Sequence, residues 1–243
     1  MSGHSKWSTI KRQKGANDAK RGAIFTKMGK EISVAARAGG PDPEANYRLR
    51  LAVDKARAVN MPADNIKRAI ERATGGDKDI EYEEIVYEGY GPGGVAVLVE
   101  AATDNKNRTA AEVRSIFTKA GGSLAGAGSV AWQFEARGLV SVPRDSSDPD
   151  EIALLAIDAG AVDVETESDP LEIATEPTDL ETVRLALESA ELTMQAKSPI
   201  EVDVDRARQN LRLIELLEDN DDVQRVTANF DLPDEILAEA AAS

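Results

Sequence analysis

The chain has 243 residues, 42% of them hydrophobic and 30% charged, with no Cys and a formal net charge of −15. That length allows one to three domains and more than one hydrophobic core, in a composition typical of globular rather than disordered chains. The missing cysteines exclude disulfides, thiol nucleophiles and cysteine metal sites. No apolar run reaches the roughly 18 residues of a membrane span, and the first residues are too polar for a secretory signal, so the expected location is cytoplasmic.

Charge is unevenly distributed. Residues 1–75 contain 16 Lys or Arg and 7 Asp or Glu, a net of +9, whereas residues 76–243 contain 13 and 37, a net of −24. The first 30 residues hold eight cations (Lys6, Lys11, Arg12, Lys14, Lys20, Arg21, Lys27, Lys30) against one acid, Asp18, with Trp7 and the single His, His4, among them. Cations with an interleaved aromatic attract a phosphate backbone and offer a base a surface to stack on. An acidic body repels phosphate elsewhere and orients the basic end toward the polymer.

In chain order, residues 1–16 read as an arm. A first helix starts near Asn17 or Asp18, carries Ile24, Met28, Ile32 and Ala36 on one face, and ends at Gly39-Gly40-Pro41. A second runs from about Glu44 to Val59. A third carries Ile66, Ala69, Ile70 and Ala73 before Gly75-Gly76. Strands are expected at Tyr82–Tyr90, Val95–Ala101 and Val130–Phe134, with a helix over Asn105–Ala120. The pattern then reads βαββαβ: strands at Leu139–Val142, Val162–Thr166, Leu171–Thr175 and Leu192–Ala196, and helices at Asp150–Ala159 and Thr178–Ala190. A further β-α-β covers Ile200–Val204, Arg206–Glu218 and Val223–Phe230, before a terminal helix at Pro233–Ala242. The expected class is α+β: a helical domain at 1–76, a discontinuous domain at 77–135 and 199–243, and an inserted domain at 136–198. Both sheet domains would be ferredoxin-like split-βαβ sandwiches.

Gly89-Tyr90-Gly91-Pro92-Gly93-Gly94 precedes a strand rather than a helix, so it reads as a tight strand connection and not a phosphate loop. Gly121–Gly128 reads as a flexible loop. No catalytic constellation emerges, because the single His excludes a His-based triad. Glu83, Glu84, Glu88, Asp104 and Glu112 are numerous enough for a metal-dependent nuclease, but solvated surface acids explain them equally. No cofactor and no metal site is expected. Around Asp104–Thr109, Asn107 or Thr109 caps a helix, and Arg108 and Arg114 are placed to hold a phosphate. Trp132 is expected in the core.

The blocks GHSKWSTIKRQKGANDAKRGAIFTK at 3–27, EGYGPGG at 88–94, TDNKNRTAAEVR at 103–114 and GSVAWQF at 128–134 resemble the YebC/PmpR family. A mitochondrial relative of that family is the translational activator of cytochrome c oxidase. The resemblance covers essentially the whole chain. It implies three domains, one inserted in another, and a DNA-binding transcriptional regulator. It also implies an alternative, a factor bound to ribosomal RNA and the ribosome that relieves stalls at proline-rich stretches. The family supplies no catalytic residue set. Carried onto this sequence, the nucleic-acid contacts are Lys6, Trp7, Lys11, Arg12, Lys14, Lys20, Arg21 and Lys27. A basic protein partner for the acidic domains is a further expectation.

Overall fold

The computed structural model describes residues 18–75, 82–143, 148–187, 191–233 and 235–236. These form two compact units: one from the described residues of 18–130 and 208–226, the other from those of 131–207 and from 227 onward.

The first unit begins with three helices, α1 (Asp18–Gly39), α2 (Tyr47–Ala58) and α3 (Ala63–Thr74). Their shared core is Ile32, Ala35 and Ala36 from α1, Leu49, Ala52, Val53 and Ala56 from α2, and Ile66 and Ala69 from α3. So many alanines let the helix axes approach closely. Gly40 (φ +92°) ends α1, its N–H donating to the Ala36 carbonyl at 2.8 Å. Asn46 then fixes the next helix. Its Oδ1 accepts from the Leu49 amide at 3.1 Å, while its Nδ2 donates to the carbonyls of Ala35 (2.8 Å) and Gly40 (2.9 Å). One buried amide thus caps α2 and ties it to the end of α1.

The same unit contains a sheet. Strands β1 (Glu83–Tyr90) and β2 (Ala96–Thr103) form an antiparallel hairpin, registered from Glu83 opposite Thr103 to Tyr90 opposite Ala96. A 3-10 turn over Pro92–Gly94 joins them, with Gly93 and Gly94 at φ +80° and +81°. The glycine run is therefore a strand connection, as expected. Helix α4 (Lys106–Lys119) buries Val113 and Phe117, and the two-residue strand β3 (Ser123–Leu124) pairs with β1. The Gly121–Gly128 loop thus contains a strand. Glu88, buried, holds that loop by accepting from the amides of Gly128 and Val130, each at 2.6 Å.

In the second unit, β4 (Phe134–Val142), α5 (Pro149–Asp158), β5 (Ala161–Glu165), β6 (Leu171–Thr175), α6 (Leu180–Leu187) and β7 (Glu191–Ala196) follow in order. The sheet order is β5-β6-β4-β7, and every neighbouring pair is antiparallel. This is the split-βαβ arrangement expected from the pattern. Strand β8 (Ile200–Glu201) pairs in parallel with β10 (Phe230–Asp231). Helix α7 (Val204–Glu218) and strand β9 (Val223–Ala228) each pass from one unit to the other. The first unit's sheet is completed by β9, in the order β3-β1-β2-β9.

The α+β class stands, with four local corrections. Val130–Phe134 is not a strand, because Ala131–Gln133 forms a 3-10 turn before β4. The turn turns Trp132 outward, leaving it 68% exposed rather than in the core. Ile200–Val204 shortens to the two residues of β8. The cap of α4 is Asn105, whose Oδ1 accepts from the Arg108 amide at 3.1 Å, in place of Asn107 or Thr109. Of the expected terminal helix, residues 234 and 237–242 lie outside the described residues.

Asn46 yields a direct test. Asn46→Ala removes three hydrogen bonds including a cap and should cost on the order of 2 kcal/mol. Asn46→Asp keeps the acceptor but faces two carbonyl oxygens without a donor, so it should fail to restore stability. Urea unfolding followed by far-UV circular dichroism measures both.

Candidate nucleic-acid interface

The best-connected polar group of the first unit is Asp222, in the turn between α7 and β9. It is 3% exposed and forms an ion pair with Lys30 of α1, itself 7% exposed. The Lys30 ammonium also donates to the Asp221 carbonyl at 2.9 Å. The other Asp222 oxygen accepts from Thr109 Oγ1 (2.6 Å), Arg108 Nη2 (2.8 Å) and Thr103 Oγ1 (3.1 Å). Arg108 reaches Asp104 with the same nitrogen, also at 2.8 Å. Burial disfavours the Asp222 carboxylate. The hydrogen bonds from Arg108, Lys30 and Thr109 outweigh it and hold the carboxyl well below the usual carboxylate range. The same two carboxylates push the Arg108 guanidinium above its ordinary value.

Beside this cluster, α1 and α3 enclose a cleft of about 330 Å³. Phe25, Val34, Met61, Ala69 and Ala73 give its wall apolar surface, Thr26, Ser33 and Asn65 add polar groups, and Tyr82 stands at one side. Arg37, Arg68 and Arg72 line it, all exposed, and among the described residues no acid does. The pattern follows from helix geometry: Arg68 and Arg72 are one turn apart on α3, and Arg37 projects from α1. Lys30 also borders the cleft, but its charge is matched by Asp222. Its ammonium lies 5.6 Å from the Tyr82 ring centre.

A second depression shares Thr26, Lys30 and Tyr82 with the cleft and has the opposite character. Asp104, Glu112, Asp219, Asp221 and Asp222 line it together with Arg108. The unit thus presents a basic cleft and an acidic depression side by side, separated by a neutralised lysine.

The expected contact residues are distributed unequally. Lys6, Trp7, Lys11, Arg12 and Lys14 lie outside the described residues. Lys20 and Arg21 belong to the first turns of α1, and their side chains are likewise outside the described ones. Lys27 donates to the Glu218 carbonyl, holding α1 against the end of α7. Arg108 is committed to Asp104 and Asp222, and Arg114 is exposed on α4. The structure therefore does not bring Lys27, Arg108 and Arg114 into one site. The cleft arginines escaped the sequence reading because their positions look like the ordinary solvated face of an amphipathic helix.

The acids considered for metal chemistry are spread over separate contacts. Glu83 pairs with Lys106, Glu84 with Arg48 and Asp104 with Arg108, while Glu112 accepts from Asn220. Among the described residues no group of three or more His, Cys, Asp or Glu is placed to hold a metal ion, and no helix is long and apolar enough to cross a membrane.

Two family models match the chain. One described as the TACO1/YebC protein N-terminal domain matches residues 5–76, and one described as the TACO1/YebC second and third domain matches residues 82–230. A relative from Rubrobacter xylanophilus, named a probable transcriptional regulatory protein, is 55% identical and covers 99% of this chain and 100% of its own. A protein of the same name from Acidithiobacillus ferrooxidans is also 55% identical, over 100% of both chains. A crystal structure of a conserved hypothetical protein from Aquifex aeolicus superposes with a TM-score of 0.84 at 44% identity, covering 90% of this chain and 94% of that one.

The Asp222 cluster makes a pH-dependent prediction. Because its folded-state pKa is depressed, its contribution is full above the ordinary carboxylate pKa of about 3.9 and is lost as pH falls below that value. Asp222→Asn leaves the buried Lys30 without its counter-charge and should cost about 3–5 kcal/mol at neutral pH. The variant should also lose less further stability than the wild type between about pH 5 and 2. Denaturant titrations across that range give both results.

Proposed function

The chain belongs to the TACO1/YebC family, and from that premise we propose that it is a nucleic-acid-binding regulator of gene expression. It grips phosphates with the basic arm and the first helix, and with the arginines of the α1–α3 cleft. The observation that carries this reading is the cleft itself: Arg37, Arg68 and Arg72 border a cavity that no acid among the described residues lines, in a chain of net charge −15. Arginine suits that task, since its planar fork pairs with phosphate oxygens and stays charged at any working pH. The names of the relatives, probable transcriptional regulatory proteins, accord with it. In the arm, Lys6, Trp7, Lys11, Arg12 and Lys14 supply further contacts, continued by Lys20 and Arg21.

Replacing Lys11, Arg12 and Lys14 with Glu should abolish binding and leave the melting temperature nearly unchanged. Replacing Arg37, Arg68 and Arg72 with Gln should weaken binding and lower the slope of log affinity against log salt by about 2–3 on duplex DNA. Fluorescence anisotropy at several salt concentrations measures both, and unaltered binding in both variants overturns the reading. Recovery of crosslinked ribosomal RNA from cells would assign the regulation to translation, and recovery of promoter DNA would assign it to transcription.

A further inference from the structure

The cleft holds more than a phosphate requires. Phosphate sites are polar, with charge and backbone amides converging on an anion. Here the arginines stand beside a recess that adds an apolar patch, Phe25, Met61, Ala69 and Ala73, and the Tyr82 ring to polar groups such as Ser33 and Asn65. Phe25 and Ala73 also pack against the helical core, so the core opens to solvent at this point. Its volume of about 330 Å³ is at the lower end of the range for small-ligand clefts, about 300–1,000 Å³. That space suits one planar ring system rather than a chain segment.

A recess with an apolar patch, flanked by aromatics and bordered by arginines, matches one repeating ligand. In a nucleic-acid strand whose bases are unstacked, each base is apolar on its faces and carries a phosphate on either side. We infer that the α1–α3 cleft accepts an extruded base of a single-stranded segment, while Arg37, Arg68 and Arg72 hold the flanking phosphates. The inference rests on the nucleic-acid reading above and adds the form of the polymer. A duplex keeps its bases stacked and presents only phosphates to this cleft. An unpaired loop, bulge or single strand fills it.

Gly29 gives a means of testing the recess without touching its charge. It lies on α1 within the cleft lining, and among the described residues a Cβ placed there meets nothing within 4 Å. Gly29→Leu therefore introduces a side chain into the cleft, at a helix position where leucine is the better helix former. Its thermal stability should be unchanged or raised, and every arginine is retained.

The test uses the full-length protein and fluorescence anisotropy with three probes: a single-stranded oligonucleotide, the same strand with abasic positions, and the matching duplex. The wild type should bind the intact single strand roughly tenfold more tightly than the abasic strand, the scale of one base–aromatic stack. Gly29→Leu should lose that advantage and keep its duplex affinity. Equal wild-type affinity for intact and abasic strands overturns the base site but leaves phosphate binding standing. So does a single-strand preference that Gly29→Leu does not alter. Competition by a free mononucleotide as effective as the oligonucleotide would make the ligand a small molecule and also overturn it. Failure of all three probes to bind overturns the functional reading itself.

Discussion

A carboxylate removed from water must be neutralised by charge and hydrogen bonds, and the first unit is built on that requirement at Asp222. The groups that satisfy it come from three other places in the sequence: Lys30 on α1, Thr103 at the end of β2, and Arg108 and Thr109 at the start of α4. The pairing of Asp222 with Lys30 spans 192 residues of sequence. A paired ion in such a place adds little net stability over an apolar substitute, yet breaking the pair is costly because one charge stays buried alone. The cluster therefore acts as a condition on the fold. The helices and the sheet of this unit are compatible only in the arrangement that brings these groups together.

The same pair shapes the electrostatics of the surface. Lys30 lies on the boundary between a basic cleft and an acidic depression, and Asp222 cancels its charge. The positive potential in the cleft then comes from Arg37, Arg68 and Arg72, which are exposed. Next to it, Asp219, Asp221 and Glu112 supply a negative field that makes the boundary steep. A phosphate chain near this face meets attraction on one side and repulsion on the other, a basis for orientation as much as for affinity.

Much of this was legible in the sequence, and the rest was not, for identifiable reasons. Strand β6 at Leu171–Thr175, the helices around Ile66 and Val113, and the hairpin turn at Pro92–Gly94 follow from local periodicity and turn chemistry. The βαββαβ order was likewise readable from alternating elements. Trp132 was misread because a short, mostly apolar stretch such as Val130–Phe134 looks like a strand whether it becomes one or a 3-10 turn. Residues 200–204 failed for the opposite reason, since a two-residue parallel pairing has no pattern of its own. The cleft could not be read at all. Arg37 and Arg72 are 35 positions apart, and only the packing of α1 on α3 shows that they border one cavity. Arg108 looked available from sequence because Asp104 reads there as a solvated surface acid and Asp222 lies 114 residues away.

Packing itself gives a separate reason to regard the cleft as functional. Protein interiors fill to high density, and an open recess beside a core forgoes contacts that a larger side chain would supply. At Gly29 nothing among the described residues prevents that filling, since the added Cβ is unobstructed and glycine is among the poorest helix formers. The facing helix likewise offers Ala69 and Ala73 rather than larger residues. Small residues bring helices together where they lie on the contact, as the alanines of the central core do. Gly29 touches open space, so close approach does not account for it. A position that sacrifices helix propensity and leaves apolar wall uncovered, in a cleft bordered by Arg37, Arg68 and Arg72, is better explained by an occupant than by packing.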